Sequence, residues 1–430
     1  MDKPFRIAIA GLGTVGVGVI KILTQHASVI AQRAGRPIEI VAVSARSKKD
    51  RGVDLSGFEW VDNTADLANY PEIDAVIELI GGSEGIAKDL VFNAVENKRH
   101  IVTANKALVA HHGIELATLS EKNSVSVAYE AAVAGGIPII KAMREGFSAN
   151  EFKAVYGILN GTCNYILTQM RETGREFSDV LNDAQELGYA EADPTFDIEG
   201  IDAAHKLCIL TSIAFGTKPD FDAMDIEGIT KVTAEDIGYA TEFGYRIKLL
   251  GIARNVDGKV IQMVKPCLVP ASSALGLIED VFNAVYVEAD YVDTPLLTGR
   301  GAGEGPTASS VVADIIDLAR GIEVPTFGVA AEDLKLAQWL DLKETSSRYY
   351  LRLNVKDQMG AISDISTILK DYDISIEAMV QHGGSEPGEK VHVVITTHEA
   401  AHSDILNALE KIKGLPETVE EPCLMRIEEI

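Results

Sequence analysis

Apolar residues in the first third of the chain cluster into short runs, which are separated by longer segments of helical periodicity. Buried strands are predicted at residues 5–10, 38–43, 74–80, 100–103 and 125–129, with helices between them. Strands that alternate with helices form βαβ units, in which the helices cover a parallel sheet. The first third is therefore predicted to be an α/β domain with a parallel sheet.

The pattern changes after residue 130. Helices are predicted at 136–146, 163–173 and 178–187, strands at 153–159 and 260–269, a glycine-rich segment at 299–305 and an apolar-periodic helix at 307–320. The C-terminal part predicts strand 349–355, helix 361–371, strands 374–381 and 390–397, helix 401–412 and strand 423–428. This β-α-β-β-α-β order is that of a ferredoxin-like domain.

Charge and cysteine content narrow the possible functions. The 430 residues carry a formal net charge of −25, which argues against general affinity for nucleic acid or an anionic membrane surface. The four cysteines, Cys163, Cys208, Cys267 and Cys423, include no C-x-x-C pair and no His/Cys cluster that suggests zinc. We expect free thiols in a cytoplasmic protein, because the N-terminus has no signal-peptide pattern and no apolar stretch is long enough to span a membrane.

A glycine motif follows the first predicted strand. The residues from Gly11 to Gly16 read GLGTVG, which is G-x-G-x-x-G between a strand and a helix. Gly11 permits the tight turn, Gly13 lets the backbone approach a pyrophosphate, and Gly16 lets the helix pack closely on the strand. Thr14 and Val15 open the helix, whose first N–H groups attract phosphate. The motif predicts a Rossmann-type site for NAD or NADP, and a coincidental glycine turn is the alternative.

The residues after the second predicted strand bear on the choice of cofactor. An acidic residue there would bind the ribose 2′-hydroxyl of NAD, but residues 44–49 read SARSKK. Arg46, with Lys48 or Lys49, suits the 2′-phosphate of NADP, because a guanidinium can bind it through two hydrogen bonds. NADP is therefore favoured over NAD, and the alternative is a solvated basic loop.

Residues 184–206, AQELGYAEADPTFDIEGIDAAHK, combine an acidic loop with a short helix. The i,i+4 spacing places Asp202 and Lys206 on one face of that helix. The loop before it carries Glu191 and Asp197 among its acidic residues. Spacing alone favours a surface ion pair beside a polar loop over a catalytic pair.

The same stretch resembles the signature of the homoserine dehydrogenases. Its spacing is A-x3-G-Y-A-x2-D-P-x2-D-I-x-G-x-D-x3-K, from Ala184 to Lys206, with every fixed position filled. Further segments resemble the family: VTANKALVA at 102–110, AYEAAVAGGIPII at 128–140, LNGTCNYIL at 159–167 and GRGAGEGPTASSVVADI at 299–315. The resemblance covers the whole chain. It implies reversible reduction of L-aspartate 4-semialdehyde to L-homoserine by a nicotinamide cofactor, within threonine, methionine and isoleucine biosynthesis.

The resemblance assigns roles to particular residues. Lys206 is expected to give a proton to the carbonyl oxygen and to act as base in the reverse direction, with Lys106 as a second cation near cofactor and substrate. Asp202 and Glu191 are expected to bind the ammonium and hydroxyl groups of the substrate. The resemblance adds two glycines to the site, Gly188 at the substrate and Gly303 at the cofactor.

Other activities fit the residues less well. Aspartate-semialdehyde dehydrogenases share the substrate but need a nucleophilic cysteine; Cys163 is the only candidate, and we interpret it as structural. Metal-assisted reduction would need His or Cys ligands, and the nine histidines form no such cluster. An amino-acid sensor that kept the cofactor fold without catalysis is a further alternative, against which the intact Asp202 and Lys206 argue.

The glycine-rich turn within residues 128–140 has a family counterpart that binds sodium. Carried over by position, the ligands are the Glu130 side chain and the backbone carbonyls of Val133, Gly135 and Ile137. A turn that exposes several carbonyls suits a hard monovalent cation, Na⁺ or K⁺. The alternative is a turn whose polar groups are satisfied within the protein.

The C-terminal residues 349–430 resemble an ACT domain through NVKDQMGAI at 354–362. Gly360 precedes a helix start, where the backbone can approach a small ligand's carboxylate. ACT domains commonly pair between subunits and bind an amino acid at the pairing interface. The resemblance therefore implies L-threonine as a feedback inhibitor, with oligomerisation without a ligand as the alternative.

Together these patterns predict an α/β protein in three parts. A Rossmann domain that binds NAD(P) covers residues 1–130, with the helix at 305–320 returning to it, and an α+β catalytic and dimerisation domain covers 131–304. A connector at 321–347 leads to a ferredoxin-like ACT domain at 348–430. We expect a homodimer or homotetramer. The sequence leaves the choice of NAD or NADP, the cation, the effector and the oligomer size open.

Overall fold

The computed structural model describes residues 3–382 and 389–430; residues 1–2 and 383–388, which belong to the predicted Rossmann and ACT domains, lie outside the described residues. The cysteines are free, as predicted. No single helix in the described ranges is long and apolar enough to cross a membrane. Thr14–Gln25 and Ala27–Ala34, bent by 84° at their junction, pass the length and composition test only as a pair.

The first part of the chain is built on a six-stranded parallel sheet. Its strands are β1 (Phe5–Ala10), β2 (Ile38–Ser44), β3 (Glu59–Trp60), β4 (Ala75–Glu78), β5 (His100–Thr103) and β6 (Val127–Ala128), in the order 3-2-1-4-5-6. Helices α1 (Thr14–Gln25), α2 (Ala27–Ala34), α3 (Ile86–Glu96) and α4 (Lys106–Asn123) pack on its faces. The predicted parallel sheet is confirmed. β4 ends earlier than predicted, because the Glu78 carboxylate accepts hydrogen bonds from the N–H groups of Ile80 and Gly81 and turns the chain.

The middle of the chain forms one side of a second, larger sheet. Its strands are β7 (Phe152–Ile158), β8 (Asp225–Ile226), β9 (Tyr245–Val256), β10 (Lys259–Pro270), β11 (Phe282–Ala289) and β12 (Leu296–Arg300). Its helices are α5 (Ile139–Lys141), α6 (Gly161–Thr173), α7 (Phe177–Glu186), α8 (Thr195–Ile198), α9 (Ile201–Phe215), α10 (Ala234–Glu242) and α11 (Glu304–Arg320). The sequence prediction missed β9 and β11, which supply much of this sheet.

The helix predicted at 136–146 begins only at residue 139, and most of it is π-helical. Regular α-helix covers only Ile139–Lys141, and a π-helical turn follows at Ala142–Gly146. The cause is Glu130, whose carboxylate accepts hydrogen bonds from the backbone N–H groups of Ile140 and Lys141 at 2.8 and 2.9 Å. Because the Glu130 carboxylate binds these first N–H groups, the helix begins at residue 139, after the glycine-rich turn.

The helix α11 packs against α1, far from its neighbours in sequence. Ala308 and Val311 join the apolar core that contains Ile7 of β1. Gly18 of α1 lets the helices approach closely, because a Cβ there would lie 2.9 Å from the Cβ of Ala308. The segment after α11 contains only short 3₁₀ turns, at Ala331–Asp333 and Leu342–Glu344.

The last part of the chain has the predicted β-α-β-β-α-β order. Its elements are β13 (Ser346–Lys356), α12 (Ala361–Asp371), β14 (Ile376–His382), β15 (Lys390–Thr397), the short β16 (Ala400–Ala401), α13 (His402–Lys413) and β17 (Cys423–Ile427). β17 pairs with β13 and also, in parallel, with β10. The strands of this domain therefore extend the second sheet to eleven strands. Backbone hydrogen bonds thus link this domain to the middle of the chain.

Candidate active site

The predicted glycine turn joins β1 to α1. Gly11 has φ +99°, and a Cβ there would lie 2.5 Å from the carbonyl oxygen of Leu79. A Cβ on Gly16 would lie 2.1 Å from the Gly11 oxygen, whereas one on Gly13 would meet no protein atom within 4 Å. Gly13 is the N-cap of α1 and no side chain caps that helix. The first N–H groups, at Thr14 and Val15, are therefore left to bind an anion in the open space beside Gly13.

The segment after β2 carries the predicted basic residues on its surface. Arg46 is exposed, as are Lys48 and Lys49. A cation that the sequence prediction did not select ties this segment to the glycine turn: Arg51 Nε donates to the Leu12 carbonyl at 2.8 Å. Arg51 Nη2 also donates to the Ser47 carbonyl at 2.6 Å. Its place in a run of basic residues was the only signal in the sequence.

Lys106 is presented by the first turn of α4 at the carboxyl edge of the parallel sheet. The side chain of Asn105 caps this helix, accepting a hydrogen bond from Leu108 N–H at 3.1 Å. Asn105 Nδ2 also donates to the Gly82 carbonyl at 2.7 Å, which fixes the loop that follows β4. The cap thus sets the direction in which Lys106 leaves the sheet.

Lys206 and Asp202 form a buried pair on α9. Lys206 Nζ donates to Asp202 Oδ2 at 2.6 Å and to the Leu159 carbonyl at 2.7 Å. Lys106 Nζ lies 2.9 Å from Asp202 Oδ1, so each carboxylate oxygen faces a different lysine. Asp202 is 3% and Lys206 8% exposed. The alternative interpretation of a surface ion pair is therefore wrong, because both side chains are buried.

Opposite charges set the electrostatics of this group. Burial alone would raise the pKa of Asp202, but Lys206 and Lys106 hold it well below its ordinary value. Burial likewise opposes the charged form of Lys106, yet the carboxylate of Asp202 outweighs it and raises the pKa of that lysine. Both groups are therefore ionised at neutral pH. Burial and the charge of Asp202 raise the pKa of the neighbouring Asp197.

These groups face a cleft of about 640 Å³ between the two sheets. The predicted residues that line it are Val15, Lys106, Gly135, Gly188, Glu191, Asp202, Lys206 and Gly303. Gly11, Gly13, Thr14 and Gly16 lie in the turn from which Val15 reaches the cleft, and Arg46 follows the neighbouring strand β2. The fold thus brings the glycine turn and the two lysines to one opening.

Several residues of the cleft were not selected from the sequence. Asn160 Nδ2 donates to Asp197 Oδ1 at 2.8 Å and to Asp202 Oδ2 at 2.9 Å. Asn283 is 1% exposed, and neither atom of its side-chain amide has a hydrogen-bond partner among the described residues. The two asparagines come from distant segments, and only the family-like LNGTCNYIL stretch signalled the first of them.

The predicted cation ligands surround a buried turn. Glu130 is 1% exposed, and burial together with Asp314 raises its pKa to about 7. The carbonyl of Gly135 already accepts a hydrogen bond from Ser310 Oγ at 2.6 Å, and that of Ile137 accepts one from Ile139 N–H at 2.8 Å. Val133 is buried in the same turn. Two carbonyl groups of the turn therefore already accept hydrogen bonds within the protein. The surroundings of Glu130 disfavour the charged form of its carboxylate.

The C-terminal domain contacts α10 through a buried ion pair. Arg352 on β13 donates from Nε to Asp236 Oδ1 at 2.6 Å and from Nη2 to Asp236 Oδ2 at 3.0 Å. Tyr350 Oη donates to Asp236 Oδ1 at 3.0 Å. Asp236 also caps the start of α10 together with Thr233. Gly360, at the start of α12 with φ +100°, leaves that helix without a side-chain cap.

Family models match most of the chain. The model described as homoserine dehydrogenase matches residues 138–316, the one described as homoserine dehydrogenase, NAD binding domain matches 11–130, and the ACT domain matches 349–417. The homoserine dehydrogenase of Neisseria gonorrhoeae is 46% identical over 98% of both chains.

Solved structures agree with these matches. A homoserine dehydrogenase from Thiobacillus denitrificans superposes with a TM-score of 0.94 at 44% identity over 99% of both chains. A hyperthermophilic archaeal homoserine dehydrogenase in complex with NADPH superposes with a TM-score of 0.64 at 26% identity, over 74% of this chain and 99% of that one.

Proposed function

This chain belongs to the homoserine dehydrogenase family, and we propose that its buried Asp202–Lys206 pair carries out the proton transfer of that oxidoreductase reaction. The bound nicotinamide cofactor supplies or accepts the hydride. Lys206, directed at the cleft, gives a proton to the aldehyde oxygen of L-aspartate 4-semialdehyde as homoserine forms, and accepts it in the reverse direction. Lys106 is the second cation that stabilises the negative charge developing on that oxygen.

Asp202 orients both lysines and contributes to substrate binding. Its two oxygens are occupied by Lys106 and Lys206, which fixes the distance between the ammonium groups. Glu191 lines the cleft and faces Lys106. We assign the ammonium and hydroxyl groups of the substrate to Glu191 and Asp202, since a desolvated cation needs carboxylate partners. Gly188 lines the same cleft as Glu191 and, without a side chain, leaves room for the substrate.

The residues present fit a dinucleotide. A side chain on Gly13 would fill the space that a pyrophosphate needs, and the uncapped N–H groups of α1 would bind it. The unpartnered amide of Asn283 and the backbone of Gly303 offer polar groups to the rest of the cofactor. We propose a preference for NADP, through Arg46 at the 2′-phosphate. The archaeal relative with NADPH supports this choice.

We also propose a monovalent cation site at Glu130 and the carbonyls of Val133, Gly135 and Ile137. The buried, costly charge of Glu130 supports it, because a bound Na⁺ or K⁺ would stabilise that charge.

The ACT domain suggests control by an amino acid, and we propose L-threonine, as the end product of a pathway that also leads to methionine and isoleucine. A homodimer or homotetramer in the cytoplasm, with the domain limits predicted from the sequence, completes the proposal.

The observation that carries the catalytic proposal is the pairing of each Asp202 oxygen with a different lysine inside the cleft. The test is reduction of NADP⁺ by the purified protein with L-homoserine, for wild type and Lys206→Ala. The variant should lose turnover at least about 1,000-fold while its affinity for NADPH stays within about twofold. Turnover that survives in Lys206→Ala would contradict the role of that lysine.

A further inference from the structure

Asn160 occupies the point at which the buried carboxylate of Asp202 and the half-buried carboxylate of Asp197 meet. It is 5% exposed and precedes the first turn of α6. Its Nδ2 donates to Asp197 Oδ1 at 2.8 Å and to Asp202 Oδ2 at 2.9 Å, while its Oδ1 accepts from Cys163 N–H at 2.8 Å. Interchanging the oxygen and nitrogen would place an acceptor against both carboxylates and a donor against an N–H group. The partners therefore fix the orientation of the amide.

The amide solves a geometric problem in the site. Asp197 and Asp202 both carry negative charge, and their repulsion would favour rotation of one carboxylate away from the other. Rotation of Asp202 would disturb the site, because its Oδ1 would leave Lys106 or its Oδ2 would leave Lys206. Two N–H groups of one rigid amide satisfy an oxygen of each aspartate and hold them in this arrangement.

We infer that Asn160 is a positioning residue for the proposed reaction: it fixes the carboxylate of Asp202 so that each of its oxygens holds one lysine. Without the amide, the Asp202 carboxylate can turn both oxygens toward Lys206 and release Lys106. The lysine ammonium groups would then no longer be held at the separation that the substrate oxygen requires. The inference rests on the proposed roles of those lysines.

Two substitutions separate this role from the capping of α6. Asp and Ser are good N-caps, so Asn160→Asp and Asn160→Ser keep an acceptor for Cys163 N–H. Asn160→Asp has no donor for either aspartate when ionised, and Asn160→Ser can donate to only one. The exposed Asn63, which accepts from Ala65 N–H at the start of a 3₁₀ turn, offers Asn63→Ser as the matched control.

The measurements are kcat, the KM values of homoserine and NADP⁺, and the pH dependence of kcat/KM. Both Asn160 variants should lose about 10- to 100-fold in kcat, the size expected for misplaced catalytic groups, with the KM of NADP⁺ within about twofold of wild type. Asn63→Ser should match wild type throughout.

The pH profile gives a readout that a cap alone would not move. The groups that face Asp197 are Asn160 at the start of α6, Asp202 and Lys206 on α9, and Lys106 on α4. The hydrogen bond from Asn160 opposes the upward shift of the Asp197 pKa. Loss of this hydrogen bond should move the acid limb of the kcat/KM profile to higher pH. The pH at which that limb falls does not depend on the amount of folded enzyme.

Wild-type kcat and an unchanged acid limb in both variants would overturn the inference and leave Asn160 as a helix cap. A wild-type enzyme that fails to oxidise homoserine would instead contradict the proposed function, before any variant is compared.

Discussion

Replacing Asp202 by Asn removes the one negative charge that both lysines of the cleft share. The side chain keeps its shape and one acceptor, so the change is chiefly electrostatic. The half-buried Lys106 then loses its main counter-charge, and burial lowers its pKa against only the smaller opposing effects of Asp197 and Glu191. We expect the fully protonated site to persist only at lower pH than in wild type.

The structure sets the size of this effect. At the 2.9 Å separation of Lys106 Nζ and Asp202 Oδ1, Coulomb attraction with an effective dielectric constant of 20 amounts to about 6 kcal/mol. This is an upper value, because the side chain of Lys106 is 31% exposed and water screens part of the charge. Loss of this attraction should therefore lower the pKa of Lys106.

Stability should change with a defined pH dependence. The folded-state pKa of Asp202 is depressed below its ordinary value of 3.8, so its ionised form stabilises the fold above that pH, and the effect is lost as pH falls through the depressed pKa. Asp202→Asn removes this contribution across the whole range above pH 3.8. Breaking one partner of a buried pair costs about 3–5 kcal/mol, which thermal unfolding at neutral pH should detect.

The assay is the pH profile of homoserine oxidation together with the melting temperature. Asp193→Asn is the matched control, because it removes an exposed carboxylate of the loop before α8, whose contacts are with Thr195. The reasoning is refuted if Asp202→Asn keeps the wild-type basic limb and melting temperature.

Two further predictions concern the cation site and the ACT domain. In buffer without Na⁺ or K⁺, wild type should lose stability as pH rises from 4.5 to about 7, because Glu130 acquires a buried charge; Glu130→Gln should not, and added Na⁺ should restore only the wild type. Saturating threonine should slow turnover and raise the melting temperature of wild type. Asp236→Asn, which weakens the buried link to Arg352, should reduce the effect on turnover. Threonine that changes neither quantity contradicts the effector assignment.

Local sequence determined the individual elements and the chemistry available to them. The short apolar runs at β1, β2 and β5 indicated strands of a parallel sheet. Such strands are covered on both faces, so their burial is visible in a few consecutive residues. The glycine turn was also predictable, since Gly11 and Gly16 have no room for a side chain. Spacing put Asp202 and Lys206 on one helical face, and family resemblance selected the catalytic interpretation.

Tertiary structure decided which distant groups meet. Lys106 contacts Asp202, which lies 96 positions later in the sequence, and Asn160 reaches the same carboxylate from a third segment. The return of α11 to α1 and the pairing of β17 with β10 likewise depend on how whole surfaces fit. Periodicity records that a residue is buried but not what it is buried against, so contacts between segments follow from packing of the complete chain.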